Sequence, residues 1–412
     1  QVQLDAGPFV LGFPRIYDEP LRYEAAWGDI GLSWDREALR IDSNLIHTRG
    51  PEGDVRALFA VDVPFQPTVT GVQMDLLAGL ANSDARYRSK YSPRVLPAGL
   101  LGWLESSIEA GTLNTAGFIW RGSLKKEKTA HRTVQLFVDV QDARLSFDPA
   151  WPALTDLDAT VLVNDGLTRG AASRARILDA QLDELSVRVV PAPGEALLSV
   201  RSKLRGDATD GHRLLVDSPL ADYTRNTFAQ WTMAGDIAGN FALDLPIRRG
   251  GARAEIDLAL ELDGVSAGVT ALALPVEDVR GSLLYSSKRG FAGSELRGQL
   301  WSHGINATAP QSTAQGIEIA LSGVVDVGQL SPWLKQPVLG FAQGAAPFEG
   351  ELRVGGDVPP ALQLRSELQG VSLDAPRPFG KASGAVLPLA LDLALRSDPR
   401  LTVTLAERLA LE

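Results

Sequence analysis

The 412-residue chain contains no cysteine. Disulfide scaffolds, zinc fingers, iron–sulfur clusters and thiolate catalysis are therefore excluded. Histidine is scarce: His47, His131, His212 and His303 stand far apart, and no metal site is expected. No apolar run reaches the roughly 18 residues a transmembrane helix needs. No basic block exceeds the Lys125-Lys126-Glu127-Lys128 cluster, and 40 Lys and Arg face 50 Asp and Glu. A net charge of −10 argues against electrostatic binding of nucleic acid. Nucleotide and hydrolase signatures are missing as well: there is no H-E-x-x-H, no G-x-S-x-G and no G-x-G-x-x-G. The Gly380-Lys381 pair fails as a P-loop because residue 375 is Ala. No cofactor and no enzymatic activity are expected. The chain opens on Gln1 with neither a basic n-region nor an apolar h-region, so an internal or processed piece of a longer protein is expected.

What is present is alternation. Val134, Leu136, Val138 and Val140 interleave with Gln135, Phe137 and Asp139. Ile256, Leu258, Leu260 and Leu262 interleave with Asp257, Ala259 and Glu261, and the stretches 241–247 and 387–395 repeat the pattern. A period of two puts each set on one face of a strand. Strands with one apolar and one polar face suit antiparallel sheets and argue against a doubly wound parallel sheet. The 40 Gly and 25 Pro favour short elements and many turns. Turn signals recur at Asn164-Asp165-Gly166, Arg249-Gly250-Gly251, Lys288-Arg289-Gly290 and Gly355-Gly356-Asp357.

Helices are few. Residues 97–110 are the best candidate, with Pro97 in the first turn and Gly111 at the C′ position. Residues 219–230 and 328–339 are weaker ones. Each is followed by a Gly-marked strand and then by a longer strand ending in a similar phrase. The phrases are Gln141-Asp142-Ala143, Asp263-Gly264-Val265 and Gln369-Gly370-Val371. Ala143 to Val265 is 122 residues and Val265 to Val371 is 106. A repeat of about 105–120 residues follows, with one short helix and about six strands. It divides the chain into a partial first repeat at 1–96, a second at 97–217, a third at 218–327 and a partial fourth at 328–412.

Carboxylates offer possible acid pairs, Asp139 with Asp142 or Asp156 with Asp158, but turn and strand-face solvation explains them better. Trp103, Trp120, Trp151, Trp231, Trp301 and Trp333 are read as anchors between helices and sheet. The segment from Lys125 through His131 is read as a basic surface loop. The remaining feature is apolar area. Roughly eighteen strands each offer three to five aliphatic residues on one face, with three short helices to cover them. Closed sandwiches would cover those faces mutually. An open trough would leave them free, and acyl chains are their natural filling, at about 0.8 kcal/mol per buried CH₂.

Val95-Leu96-Pro97 through Trp103-Leu104 to Gly111, then Gly117 to Leu124, resembles the bacterial AsmA-like family of the YhdP type. So does Val140 to Asp165, with Leu145-Ser146-Phe147, Trp151-Pro152, Leu157 and Ala159. TamB and, at fold level, the bridge-like lipid-transfer proteins are relatives of that family. The resemblance covers roughly residues 85–205 and, through the repeat, extends to about 395. It departs from the family pattern at the basic stretch Lys125, Lys126, Lys128, His131 and Arg132. It implies a mainly β fold: a long, twisted, mostly antiparallel sheet curled into an open groove with a few short helices. It further implies a protein of the Gram-negative periplasm, anchored in the inner membrane by an N-terminal part outside this chain. Its groove would conduct phospholipids from inner to outer membrane without chemistry, with envelope proteins as possible partners.

The expected lining is a set: Val134, Leu136, Val138, Val161, Val163, Leu243, Leu245, Ile256, Leu258, Leu260, Leu283, Ile317, Ile319, Leu362, Leu364, Leu389, Leu391 and Leu393. For any one of them, ordinary core packing explains the residue as well. Two other readings stand beside it: a spacer or docking module of closed β-sandwiches in the cell envelope, and a β-rich carbohydrate-active enzyme.

Overall fold

The computed structural model describes residues 1–412 except 126, 224–227, 230, 249–252, 270–273, 314–315, 335–339, 355–360, 376–379, 395–399, 406–408 and 412. It is mainly β, as expected. Among the described residues, 24 strands join one sheet, and Phe9–Leu11 with Leu21–Tyr23 form a separate ribbon. Every pairing of known register is antiparallel, mostly between sequence neighbours. The strand Arg132–Leu145, for example, lies between Ile108–Ser123 and Leu154–Asn164. The turn signal at Asn164-Asp165-Gly166 is a two-residue hairpin with positive φ at Asp165 (48°) and Gly166 (89°), the twist-matched geometry that Asp-Gly favours. The signals at Arg249-Gly250-Gly251 and Gly355-Gly356-Asp357 lie outside the described residues.

Four helices are described: α1 (Ala98–Ser107), α2 (Ala208–Asp217), α3 (Leu220–Tyr223) and α4 (Val327–Leu334). α1 matches its expectation but stops before Ile108, and Gly111 sits inside the next strand and not at a helix end. Of the second expected helix, 219–230, the structure shows α3 at its start, while 224–227 and 230 lie outside the described residues. Before it lies α2, which starts where the Asp207 side chain accepts the Thr209 N–H at 2.7 Å. α4 occupies the first part of 328–339, and 335–339 fall outside the described residues.

The chain packs as two compact units. The first comprises Gln1–Ser202 with Asp244–Arg253, the second Lys203–Leu243 with Ala254–Glu412. In the first unit one cluster of buried residues lies along a line of left-handed backbone positions, two of them β-bulges. Asp142 (φ 48°), Asp156 (48°) and Glu184 (51°) adopt left-handed backbone. Each precedes a buried residue, Ala143, Leu157 and Leu185, and these meet Ala175 in one cluster. Such bulges add a residue on one strand, bend it and sharpen the local twist. The same device recurs in the second unit. Gly264 (φ 71°) and Asp278 (50°) precede Val265 and Val279, which pack with Ala208 and Ile237. Gly370 (φ 100°) precedes Val371, which packs with Val327, Ala342, Ala346 and Leu368. The three phrases found in the sequence are thus three bulges, each opening onto a buried apolar residue.

Glycine is required opposite these bulges. Gly235 has φ +119°, and a Cβ there would stand 2.9 Å from the Val265 Cα. That is both a strained backbone for an L-residue and a contact with main chain that cannot move aside. Gly111 stands in the same relation to Ala143, again with 2.9 Å to its Cα.

A second anchor of the first unit is polar. Glu52 has no exposed side-chain surface and accepts from Lys90 Nζ at 2.5 Å and from the Tyr91 hydroxyl at 2.5 Å. Lys90 also donates to the Arg22 carbonyl and lies 4.4 Å from the Tyr23 ring centroid. Burial, then the bond to Glu52, pushes the Tyr91 hydroxyl far up, so it stays a donor. This cluster ties the 3₁₀ turn Ala85–Tyr91 to the hairpin at Gly50–Gly53.

Candidate functional site

The antiparallel registers assemble one apolar face in the first unit. One row runs Phe59, Leu76, Trp120, Val134. The next runs Ala78, Phe118, Leu136, Val163. A third runs Leu80, Ala116, Val138, Val161, Gly170, Val187. All of these residues are half-buried, in contrast to the sealed bulge line. Of the expected lining, Val134, Leu136, Val138, Val161 and Val163 are therefore brought together here. Phe59, Leu76, Phe118 and Trp120 share their face and were not in the expected set. Their signal was present in 55–63, 74–80 and 116–124, where apolar residues recur at every second position.

The opposite face carries charge. Arg121 lies 3.7 Å from Asp75, and Arg40 lies 3.0 Å from Asp62. It also shows Leu58, Leu77, Ile119, Phe137 and Leu162, each more than a third exposed.

In the second unit Leu258 faces Tyr285 and Leu260 faces Leu283 across neighbouring strands. Ile256 and Leu260 are buried, Leu258 and Leu283 half-buried. Further on, Ile319, Leu352, Leu362 and Leu393 form one row, and Leu321, Gly350, Leu364 and Leu391 the next. Leu389 follows on that face, opposite Ser366 and Leu405. Here Leu362, Leu391 and Leu393 are sealed in a cluster that includes Trp333 of α4. Ile317 is in register with Val354, but its side chain lies outside the description. Leu243 of this unit and Leu245, which belongs to the first, are half-buried on the strand Trp231–Arg248.

The tryptophans divide between roles. Trp103 donates to the Phe147 carbonyl at 2.9 Å and pins α1, and Trp333 packs edge-on against Trp301, centroids 6.1 Å apart. Trp151 tilts against Phe147, and Trp231 meets Phe228 edge-on. Trp120 instead belongs to the apolar face.

The acidic pairs serve the bulges. Asp158 accepts the Asp142 N–H at 2.9 Å, and Arg174 bridges Asp142 and Asp158. The Asp142 N–H, together with Arg174, holds the Asp158 carboxyl below the usual carboxylate range. A general acid needs the opposite shift. Asp156 pairs with Arg176 at 3.9 Å, and Asp139 accepts from Asn114. Among the described residues, no group of three or more His, Asp or Glu is placed to hold a metal ion, and no helix is long and apolar enough to cross a membrane.

These features define a class: a mainly antiparallel-sheet protein with aligned rows of half-buried apolar residues and, among the described residues, no metal-ligand cluster. Within it, the chain belongs to the YhdP protein family, whose model matches residues 1–412. It is 23% identical over 402 residues to the intermembrane phospholipid transporter YhdP of Escherichia coli (strain K12). That alignment covers 93% of this chain and 30% of the relative, so the chain spans less than a third of that protein's length. No solved structure matches.

Proposed function

We propose that the apolar face binds phospholipid acyl chains and is one stretch of a path along which a longer periplasmic protein passes phospholipids between the two membranes. The part outside this chain would supply the inner-membrane anchor. The observation that carries the reading is the half-buried state of the rows from Phe59 to Val187. Their apolar residues are aligned across neighbouring strands yet still open to a ligand. Burial of CH₂ groups is non-directional, so such a surface tolerates chains of any length and lets them slide. A shaped pocket with fixed polar groups would trap them. The phospholipid itself is taken from the similarity to the E. coli transporter. The bulges before Ala143, Val265 and Val371 suit a modular path in which each repeat of about 105–120 residues adds the same bend.

The purified chain should carry phospholipid. Solvent extraction and mass spectrometry should find about one or more phospholipid molecules per chain after gel filtration. A chain that remains folded but lipid-free, even after incubation with phospholipid vesicles, would overturn the reading and favour closed sandwiches acting as a spacer.

A further inference from the structure

At one end of the apolar rows, among the described residues, a guanidinium has no anionic partner and an indole N–H has no acceptor. Arg132 opens the strand that continues through Val134, Leu136 and Val138, and by alternation shares their face. Its guanidinium carbon lies 5.0 Å from the Trp120 ring centroid. Its only described contact is this stacking; no carboxylate lies within ion-pair distance among the described residues. The nearby Asp165 carboxylate is occupied, accepting the Val134 N–H at 2.7 Å. Trp120 is half-buried, and its Nε1 is buried without a hydrogen-bond acceptor. A buried donor left unmade is costly, so native proteins rarely keep one without a function or an outside acceptor.

The backbone is built to hold this pair. Gly122, in register with Arg132, has φ +113°, and a Cβ there would stand 2.2 Å from the His131 carbonyl oxygen. Among the described residues, the other basic side chains of the loop are placed differently. Lys125 Nζ is committed to the Thr68 carbonyl at 2.9 Å, and His131 is exposed. Lys128 is half-buried.

We infer that Arg132 and Trp120 form a headgroup site for the phosphate of a glycerophospholipid whose acyl chains lie along Leu76, Val134 and Leu136. This deepens the lipid-path reading and rests on it. A phosphodiester supplies what both groups lack. One non-bridging oxygen pairs with the guanidinium, whose planar fork of N–H donors suits phosphate oxygens. Another oxygen accepts the indole N–H. The stacked ring holds the guanidinium side-on, so its fork is pre-organised and little rotamer freedom is lost on binding. The site marks where a headgroup stays at the edge while the chains enter the apolar face.

The test compares two lipids with identical acyl chains, fluorescent phosphatidylglycerol and fluorescent diacylglycerol, each presented in phosphatidylcholine vesicles. The wild-type chain should extract phosphatidylglycerol about tenfold better than diacylglycerol. Arg132→Gln should erase that preference and leave diacylglycerol extraction unchanged. Trp120→Phe, which keeps the ring and removes the N–H, should lower the preference by a few-fold. Retention of the full preference in Arg132→Gln overturns the site. Equal loss of both lipids in that variant also overturns it, because the role is then structural. If wild type extracts both lipids equally but binds inorganic phosphate in a way that Arg132→Gln abolishes, the site is for the free anion and not for lipid. Extraction of both lipids equally by wild type rejects the headgroup site alone. Extraction of neither rejects the lipid path beneath it.

Discussion

Leu136→Asp in the first unit and Leu258→Asp in the second should each cut phospholipid transfer by the full-length protein at least tenfold. Both side chains are half-buried, each on the apolar side of its own strand. In the lipid-free protein an aspartate there keeps part of its hydration, so the fold should lose only about 1 kcal/mol. With acyl chains in place the carboxylate loses that water and gains no partner, a cost of several kcal/mol. Each 1.4 kcal/mol is tenfold in occupancy. Phe137 is the control: it neighbours Leu136 in sequence, points to the opposite face and is 39% exposed. Phe137→Asp should transfer as wild type. If Leu136→Asp and Leu258→Asp fold and still support transfer, acyl chains do not travel on these faces.

The second large effect is on stability. Glu52→Ala leaves the Lys90 ammonium, whose side chain is 19% exposed, with the Arg22 carbonyl and the Tyr23 and Tyr91 rings but no anion among its described contacts. Removing one member of a buried ion pair costs about 3 kcal/mol or more. For a unit of this size that lowers the thermal midpoint by about 6–12 °C. Scanning calorimetry should show the loss in the transition of the first unit alone. The double replacement Glu52→Leu with Lys90→Met should recover much of it, because the unpaired charge goes with its partner. A Glu52→Ala protein with an unchanged midpoint would mean that the cluster contributes nothing to the fold.

The sheet was legible in the sequence because its strands obey period two over long stretches. The hairpin at Asp165-Gly166 was legible because only certain residues adopt two successive positive φ values. The three bulges were visible as a recurring phrase, although their meaning was not. Only the registers show that Asp142, Gly264 and Gly370 each turn the chain so that the next residue is sealed. The helix Ala208–Asp217, capped by Asp207, was missed because its interior Gly211 weakens the helical signal. Glu52 was silent: Gly50-Pro51-Glu52-Gly53 reads as a polar turn, yet its carboxylate is the most completely buried large side chain. The face of 116–124 was ambiguous because Phe118 and Trp120 lie on one side and Ile119 on the other. The Arg132–Trp120 stack was invisible for the same reason. Twelve residues apart in sequence, they meet only through the register that sets Val134 opposite Trp120.

The central claim is that one face of the sheet, and not the other, carries lipid. A photoreactive benzophenone side chain placed singly at Leu136, Val161, Phe137 and Leu162 tests it directly. Leu136 and Val161 lie on the half-buried face, Phe137 and Leu162 on the charged one. Irradiation in cells followed by mass spectrometry of the purified protein should find phospholipid adducts at Leu136 and Val161 only. Adducts of equal yield at all four positions, or at Phe137 and Leu162 alone, would contradict the account.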